Sequence, residues 1–169
     1  MAEKEHIDVK SEKEREYPNS HLIQLFSALL FASVEILDAA IFNFSTRILN
    51  FIPILIRGIL SVIILGFALL FISKAHQAVF GGTVKHQHEI NTLITTGIFA
   101  HVRNPMYLGI LLLYCSILIL TMSLIAFGVW IIIFWLYNKL ATFEERILEE
   151  LFGDFYKKYK QRVSKWIPR

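Results

Sequence analysis

From Asn104 to Asn138 the chain runs for 35 residues without one Asp, Glu, Lys or Arg. As a single helix that stretch would measure roughly 52 Å at 1.5 Å per residue, far more than a hydrocarbon core of about 30 Å. It therefore reads as two short helices that fold back near "LTMS", residues 120–123. Two further apolar stretches, 21–44 and 51–72, are each long enough for one span. A chain that is 55% hydrophobic, with mean hydropathy +0.53, is too apolar for an ordinary soluble domain. The expected fold is all-α and integral to a membrane, with four transmembrane helices arranged as two hairpins. A polar tail (1–20) precedes the first hairpin (21–73), and residues 74–169 form the remaining unit.

Lys and Arg set the expected topology. Four lie in the N-terminal tail, three between 73 and 103, and eight from Lys139 onward, whereas the first hairpin loop holds only Arg47 and the 120–123 tip none. By the positive-inside rule, both termini and the middle connection face the cytoplasm. The N-terminal tail carries six acids, and the apolar stretch behind it exceeds a signal-peptide core, so no cleavable signal is expected. The net charge of +3 is no nucleic-acid signal, because basic residues alternate with apolar segments and acids. The single Cys115 excludes intramolecular disulfides.

Three charged residues fall within the two apolar spans of the first hairpin: Glu35, Asp38 and Arg57. Such residues are costly in lipid and usually paired. Asp38 and Arg57 stand at matching depths of an antiparallel hairpin, so a bond between them is expected, with Glu35 left without an obvious partner.

The connection 74–106 contains four of the six histidines. His86 and His88 form one short pair with only Glu89 nearby, too little for a metal site, and no metal is expected. "INTLITTG", ending at Gly97, is β-branched and reads as a strand or extended strap. It leads to Arg103-Asn104-Pro105, packed against an apolar run. Pro suits the first turn of a helix, whose free N–H groups and positive dipole end would receive an anion such as a carboxylate. Alternatively, Arg103 anchors lipid phosphate and Asn104 caps the helix.

In the C-terminal segment, Leu140, Glu144, Leu148, Leu151 and Phe155 share one helical face. Glu144 then lies in an apolar stripe and needs a cation, either Arg103 or the amine of a ligand. Glu145 is expected to face about 100° away, as a pairing group or a base. Tyr156 and Tyr159 read as packing residues, and the terminal "WIPR" as folding back onto the membrane face.

These elements together resemble the isoprenylcysteine carboxyl methyltransferase and phospholipid methyltransferase superfamily. The resemblance rests on Gly97, Phe99, Arg103-Asn104-Pro105-Met106-Tyr107-Leu108-Gly109, Glu144-Glu145, Phe152-Gly153-Asp154-Phe155-Tyr156-Lys157-Lys158-Tyr159 and Pro168. It implies a membrane enzyme, in contact with membrane lipids, that uses S-adenosyl-L-methionine and transfers its methyl group to a lipophilic small-molecule or lipidated acceptor at the cytoplasmic membrane face. By that likeness Thr92, Leu93, Ile94, Gly97, Phe99, Asn104, Pro105, Met106, Tyr107 and Glu144 would hold the cofactor. Arg103 and Glu145 would be catalytic and Lys139 would bind the acceptor. Asn104 stands where the family has His; it can hydrogen-bond but not titrate. Leu140 stands where the eukaryotic prenylcysteine enzymes have Arg, so the acceptor could equally be a lipid amine, a hydroxyl or thiol, or an isoprenoid acid held by Lys139. Two rival readings are an NADPH-dependent, sterol-reductase-like membrane enzyme and a non-enzymatic adaptor or small transporter.

Overall fold

The computed structural model describes residues 19–46, 51–80 and 93–168. The N-terminal tail before Asn19, the His86–His88 pair and Thr92 lie outside these residues. Among the described residues the structure is helical, with one isolated parallel bridge, Val102 to Ser164, and no strand. The described end of the expected strap, residues 93–95, has no regular structure and runs into a 3-10 turn, Gly97–Ala100. Four helices follow in order: α1 (Ser20–Glu35, continued by a π-helical segment Ile36–Phe42), α2 (Ile54–Phe80), α3 (Pro105–Thr121) and α4 (Leu124–Arg162).

α1 and α2 are built largely inside out relative to the helices of a water-soluble bundle. Down α2 the buried positions are Arg57, Ser61, Ala68 and Ala75, whereas Ile54, Leu55, Ile59, Val62, Phe67 and Leu70 are exposed. α1 likewise turns Ser27, Phe31 and Glu35 inward and leaves Leu22, Phe26 and Leu29 outside. Lipid solvates large aliphatic side chains as well as a core does, so the inward face of α2 goes to small residues that let backbones approach and to polar groups that need partners, while larger side chains such as Phe31, Tyr107 and Tyr137 pack between α1, α3 and α4. The most extensive interhelical contact, between α2 and α3, shows it. Gly109 sits so close to α2 that a Cβ there would lie 2.7 Å from Ile72 Cγ1 and 3.0 Å from the Ala68 carbonyl. Ser61 Oγ donates to the Ser116 carbonyl at 2.7 Å along the same seam.

Three helices, Ser20–Phe42, Ile54–Val79 and Leu124–Arg162, are long and apolar enough to cross a membrane. α3 is apolar but has only 17 residues, about 25 Å of helix. Of the two short helices expected in 104–138, α3 is short, whereas the second is only the beginning of α4, which runs for 39 residues. α3 is short because both of its ends are fixed: Pro105 sets its first turn, and Met122 leaves the helix in the left-handed conformation at φ 56°. Ser123 then opens α4, its side chain accepting from Ala126 N–H at 3.0 Å. The reversal expected at 120–123 is therefore where the chain turns.

At that end of the bundle Asp38 is held by three donors: Ser45 N–H at 2.9 Å, the Ser45 hydroxyl, and Ser123 Oγ at 2.5 Å. Arg57 Nη1 reaches the Leu120 carbonyl at 3.5 Å, and Thr121 Oγ1 donates to Glu35 at 3.3 Å. Asp38 therefore joins the first hairpin to the second through hydroxyls, instead of resting on the guanidinium across its own hairpin.

α4 is two helices in one run. Gly153 has φ 52° and ψ −128°, a conformation that a side chain resists. The chain doubles back there. Lys160 Nζ lies 2.8 Å from Glu149 Oε2, although 11 residues of straight helix would separate them by about 16 Å.

Candidate functional site

Where α3 begins, the tail of α4 and the 97–104 turn converge on one buried acid. Glu145 is 6% exposed. Its Oε1 accepts from Asn104 Nδ2 at 2.7 Å and faces Arg103 Nε at 3.2 Å, and its Oε2 accepts from Arg103 Nη2 at 3.4 Å. Arg103 also donates from Nη1 to the Lys160 carbonyl (3.1 Å) and from its backbone N–H to the Ser164 carbonyl (2.9 Å). The guanidinium fork thus joins the Glu145 carboxylate to the Lys160 carbonyl, a task for which its fixed donor geometry suits it. Tyr159 closes the same junction, its hydroxyl donating to the Phe99 carbonyl at 2.6 Å. Leu93 packs with Tyr156, Tyr159 and Val163. Burial raises the cost of ionising both tyrosines, in keeping with their expected packing role.

Glu145 was expected to face away from the buried side, and the structure corrects this. Tyr137, Leu140 and Ala141 are buried under α3 and α1. One turn later the cover changes: the 97–104 turn and the folded-back 159–164 segment lie over the Glu145 flank. Glu144 also faces protein, but at the rim, half-buried, with Oε1 accepting from the Tyr107 hydroxyl at 2.5 Å. Arg103 is therefore the partner of Glu145, not of Glu144. Nor does Asn104 cap α3: its side chain makes no cap bond and turns to Glu145 instead.

The structure brings Arg103, Asn104 and Glu145 into one cluster and sets Tyr107 and Glu144 beside it. Pro105 is fully buried in the first turn of α3, and Met106 is partly exposed next to it. Gly97 adopts φ 62°, which suits Gly and turns the chain toward Phe99. Ile94 is half-buried in the unstructured approach. Lys139 stands apart. It is about 200° around the helix from Ala141, exposed, with Nζ 3.7 Å from the centre of the Trp135 ring. A cavity of about 510 Å³ lies on the Glu145 side, lined by Thr142, Glu145, Arg146, Glu149, Glu150, Lys157 and Lys160. Sequence reasoning missed Lys160 and Ser164, which act through backbone carbonyls; the signal available was Gly153 inside a helical pattern.

Fold and site together define a helical, membrane-type protein whose polar centre sits where an apolar helix begins. Comparison narrows the class: residues 54–155 match the phospholipid methyltransferase family model, and the chain belongs to that family. It is 31% identical over 77 residues to a protein-S-isoprenylcysteine O-methyltransferase of Schizosaccharomyces pombe, covering 45% of this chain and 33% of that protein. It is 38% identical over 71 residues to methanethiol S-methyltransferase 1 of Bradyrhizobium diazoefficiens, covering 42% of this chain and 24% of that protein. The aligned part is thus a third or less of each relative's length. No solved structure matches the chain.

Proposed function

We propose that this protein is an integral membrane methyltransferase that uses S-adenosyl-L-methionine and methylates a lipophilic acceptor at the membrane face where α3 begins. The observation that carries the reading is the division of labour between two adjacent acids. Glu145 is buried and committed to Arg103 and Asn104, while Glu144 stands half-buried at the rim of the same cluster beside Tyr107, where a bound molecule would meet its carboxylate. The family match supports transfer chemistry over the NADPH-reductase and adaptor readings.

The residues present fit the cofactor by charge. Glu144 suits an α-amine, the first turn of α3 suits a carboxylate, and the electron-rich faces of Tyr107 and Phe99 suit a sulfonium. When bound, S-adenosylmethionine would supply an electrophilic methyl group. What the chain contributes is position and dryness. Glu145 and Asn104 fix Arg103, Arg103 fixes the C-terminal segment over the site, and Tyr107 fixes the Glu144 carboxylate. On this reading Glu145 is a positioning group and not a base. The two named relatives differ in the atom methylated, oxygen in one and sulfur in the other, so the shared core does not dictate the acceptor.

Calorimetric titration of the detergent-purified protein with S-adenosylhomocysteine tests the reading. Binding is expected, weakened at least tenfold by Glu144→Gln. A folded wild-type protein that gives no heat with S-adenosylhomocysteine but binds NADPH would replace this reading with the reductase.

A further inference from the structure

On the flank of α4 that adjoins Glu145, one to two turns nearer the apolar run, Trp135, Asn138, Lys139 and Thr142 fall within an arc of about 100°. The C-terminal segment folds onto this flank. Lys165 Nζ donates to Thr142 Oγ1 at 2.6 Å and to the Asn138 carbonyl at 3.2 Å, and Trp166 Nε1 donates to Asn138 Oδ1 at 3.1 Å. Two ammonium groups are thus gathered at the boundary of the apolar run, each beside an indole: Lys139 at 3.7 Å from the Trp135 ring centre and Lys165 at 5.7 Å from that of Trp166. Among the described residues neither forms an ion pair. The bonded partners of Lys165 are neutral oxygens, and burial pushes its ammonium below the ordinary lysine range. This contrasts with Lys157 and Lys160, which are paired with Asp154 and Glu149.

The same flank has a head-to-tail order. Below Lys139, at steps of one turn, come Trp135 (54% exposed) and Ile131 (50% exposed). A cation at the boundary, an indole one turn deeper and an aliphatic side chain two turns deeper match an amphiphile with an anionic head and an apolar tail. A zwitterionic head would bring its own cation to a place that already holds two.

We infer that the Lys139–Lys165 flank of α4 binds the phosphate head of an anionic phospholipid, with its acyl chain along Trp135 and Ile131. This assigns Lys139 to a lipid and not to the methyl acceptor, and it is independent of the reading of the acid site. Because Lys165 and Trp166 belong to the segment whose Ser164 carbonyl receives the Arg103 N–H, the lipid would also hold that segment in place.

The test is tryptophan quenching in nanodiscs by brominated phosphatidylglycerol against brominated phosphatidylcholine, at equal mole fraction and in a Trp130→Phe background. At least threefold stronger quenching by the anionic lipid is expected. The preference should disappear in Lys139→Gln/Lys165→Gln, shrink in Lys139→Gln alone, and survive in Lys157→Gln. Lys139 is exposed with its Nζ over the Trp135 ring, so its single variant reports on the flank even if the double variant folds poorly. Equal quenching by the two lipids, or a preference that survives Lys139→Gln undiminished, would overturn the inference.

Discussion

Asn104 precedes helix α3 yet serves a different helix: its side-chain nitrogen donates to Glu145 Oε1 at 2.7 Å and makes no cap bond to α3. The side chain in a helix-capping position has become a tie between the start of α3 and the middle of α4. A carboxylate can only accept, so the amide nitrogen must face it. Any replacement that keeps a donor at that point keeps the tie.

Asn104→His should therefore preserve stability and S-adenosylhomocysteine binding. Asn104→Ala should cost about 1–3 kcal/mol by leaving a buried carboxylate one donor short. Thermal unfolding of both variants in the same detergent checks this; equal losses in the two would show that the donor is immaterial.

Arg103 and Glu145 form a buried pair, with side chains 11% and 8% exposed. Removing either partner strands the other, at about 3–5 kcal/mol. Removing both should cost clearly less than the sum of the single losses. A double-mutant cycle with Arg103→Ala and Glu145→Ala measures the coupling. Additive losses would mean that the pair does not exist in the folded protein.

Two glycines in apolar helices should respond oppositely to Ala. At Gly109 a methyl group meets Ile72 and the Ala68 carbonyl, backbone included, so α2 and α3 must part, at about 1–3 kcal/mol. At Gly128 nothing lies within 4 Å, and Ala should be neutral or stabilise by up to about 1 kcal/mol. Thermal stability of the two variants decides it. Equal responses would place the α2–α3 crossing elsewhere.

Gly153→Ala should loosen the C-terminal fold-back. The φ 52°, ψ −128° conformation costs a side chain about 1–3 kcal/mol, and that strain falls on the segment held by Lys160–Glu149 and by the two Arg103 donations. Hydrogen exchange should rise across 154–164 and remain unchanged in α2. Unaltered protection of 154–164 would show that the turn does not depend on Gly.

Much of this architecture can be read in the sequence because lipid imposes simple arithmetic. A charge-free run of 35 residues cannot be one span, and its break at Met122 and Ser123 follows from length. Pro105 fixes the start of α3 by its own geometry, and the order Arg103-Asn104-Pro105 with Glu144-Glu145 carries the family. The choice between Glu144 and Glu145 was different. Neighbours on a helix point about 100° apart, and which one is buried depends on what covers the helix at that turn. The cover consists of the 97–104 turn and of a segment that reverses at Gly153, brought together by Arg103 through backbone carbonyls whose side-chain identity is irrelevant. The bond between Asp38 and Ser123 likewise joins residues 85 positions apart. Local sequence thus determined where helices start, stop and meet lipid. Only the tertiary structure decided which of two adjacent acids is enclosed, because enclosure is a property of the neighbours and not of the residue.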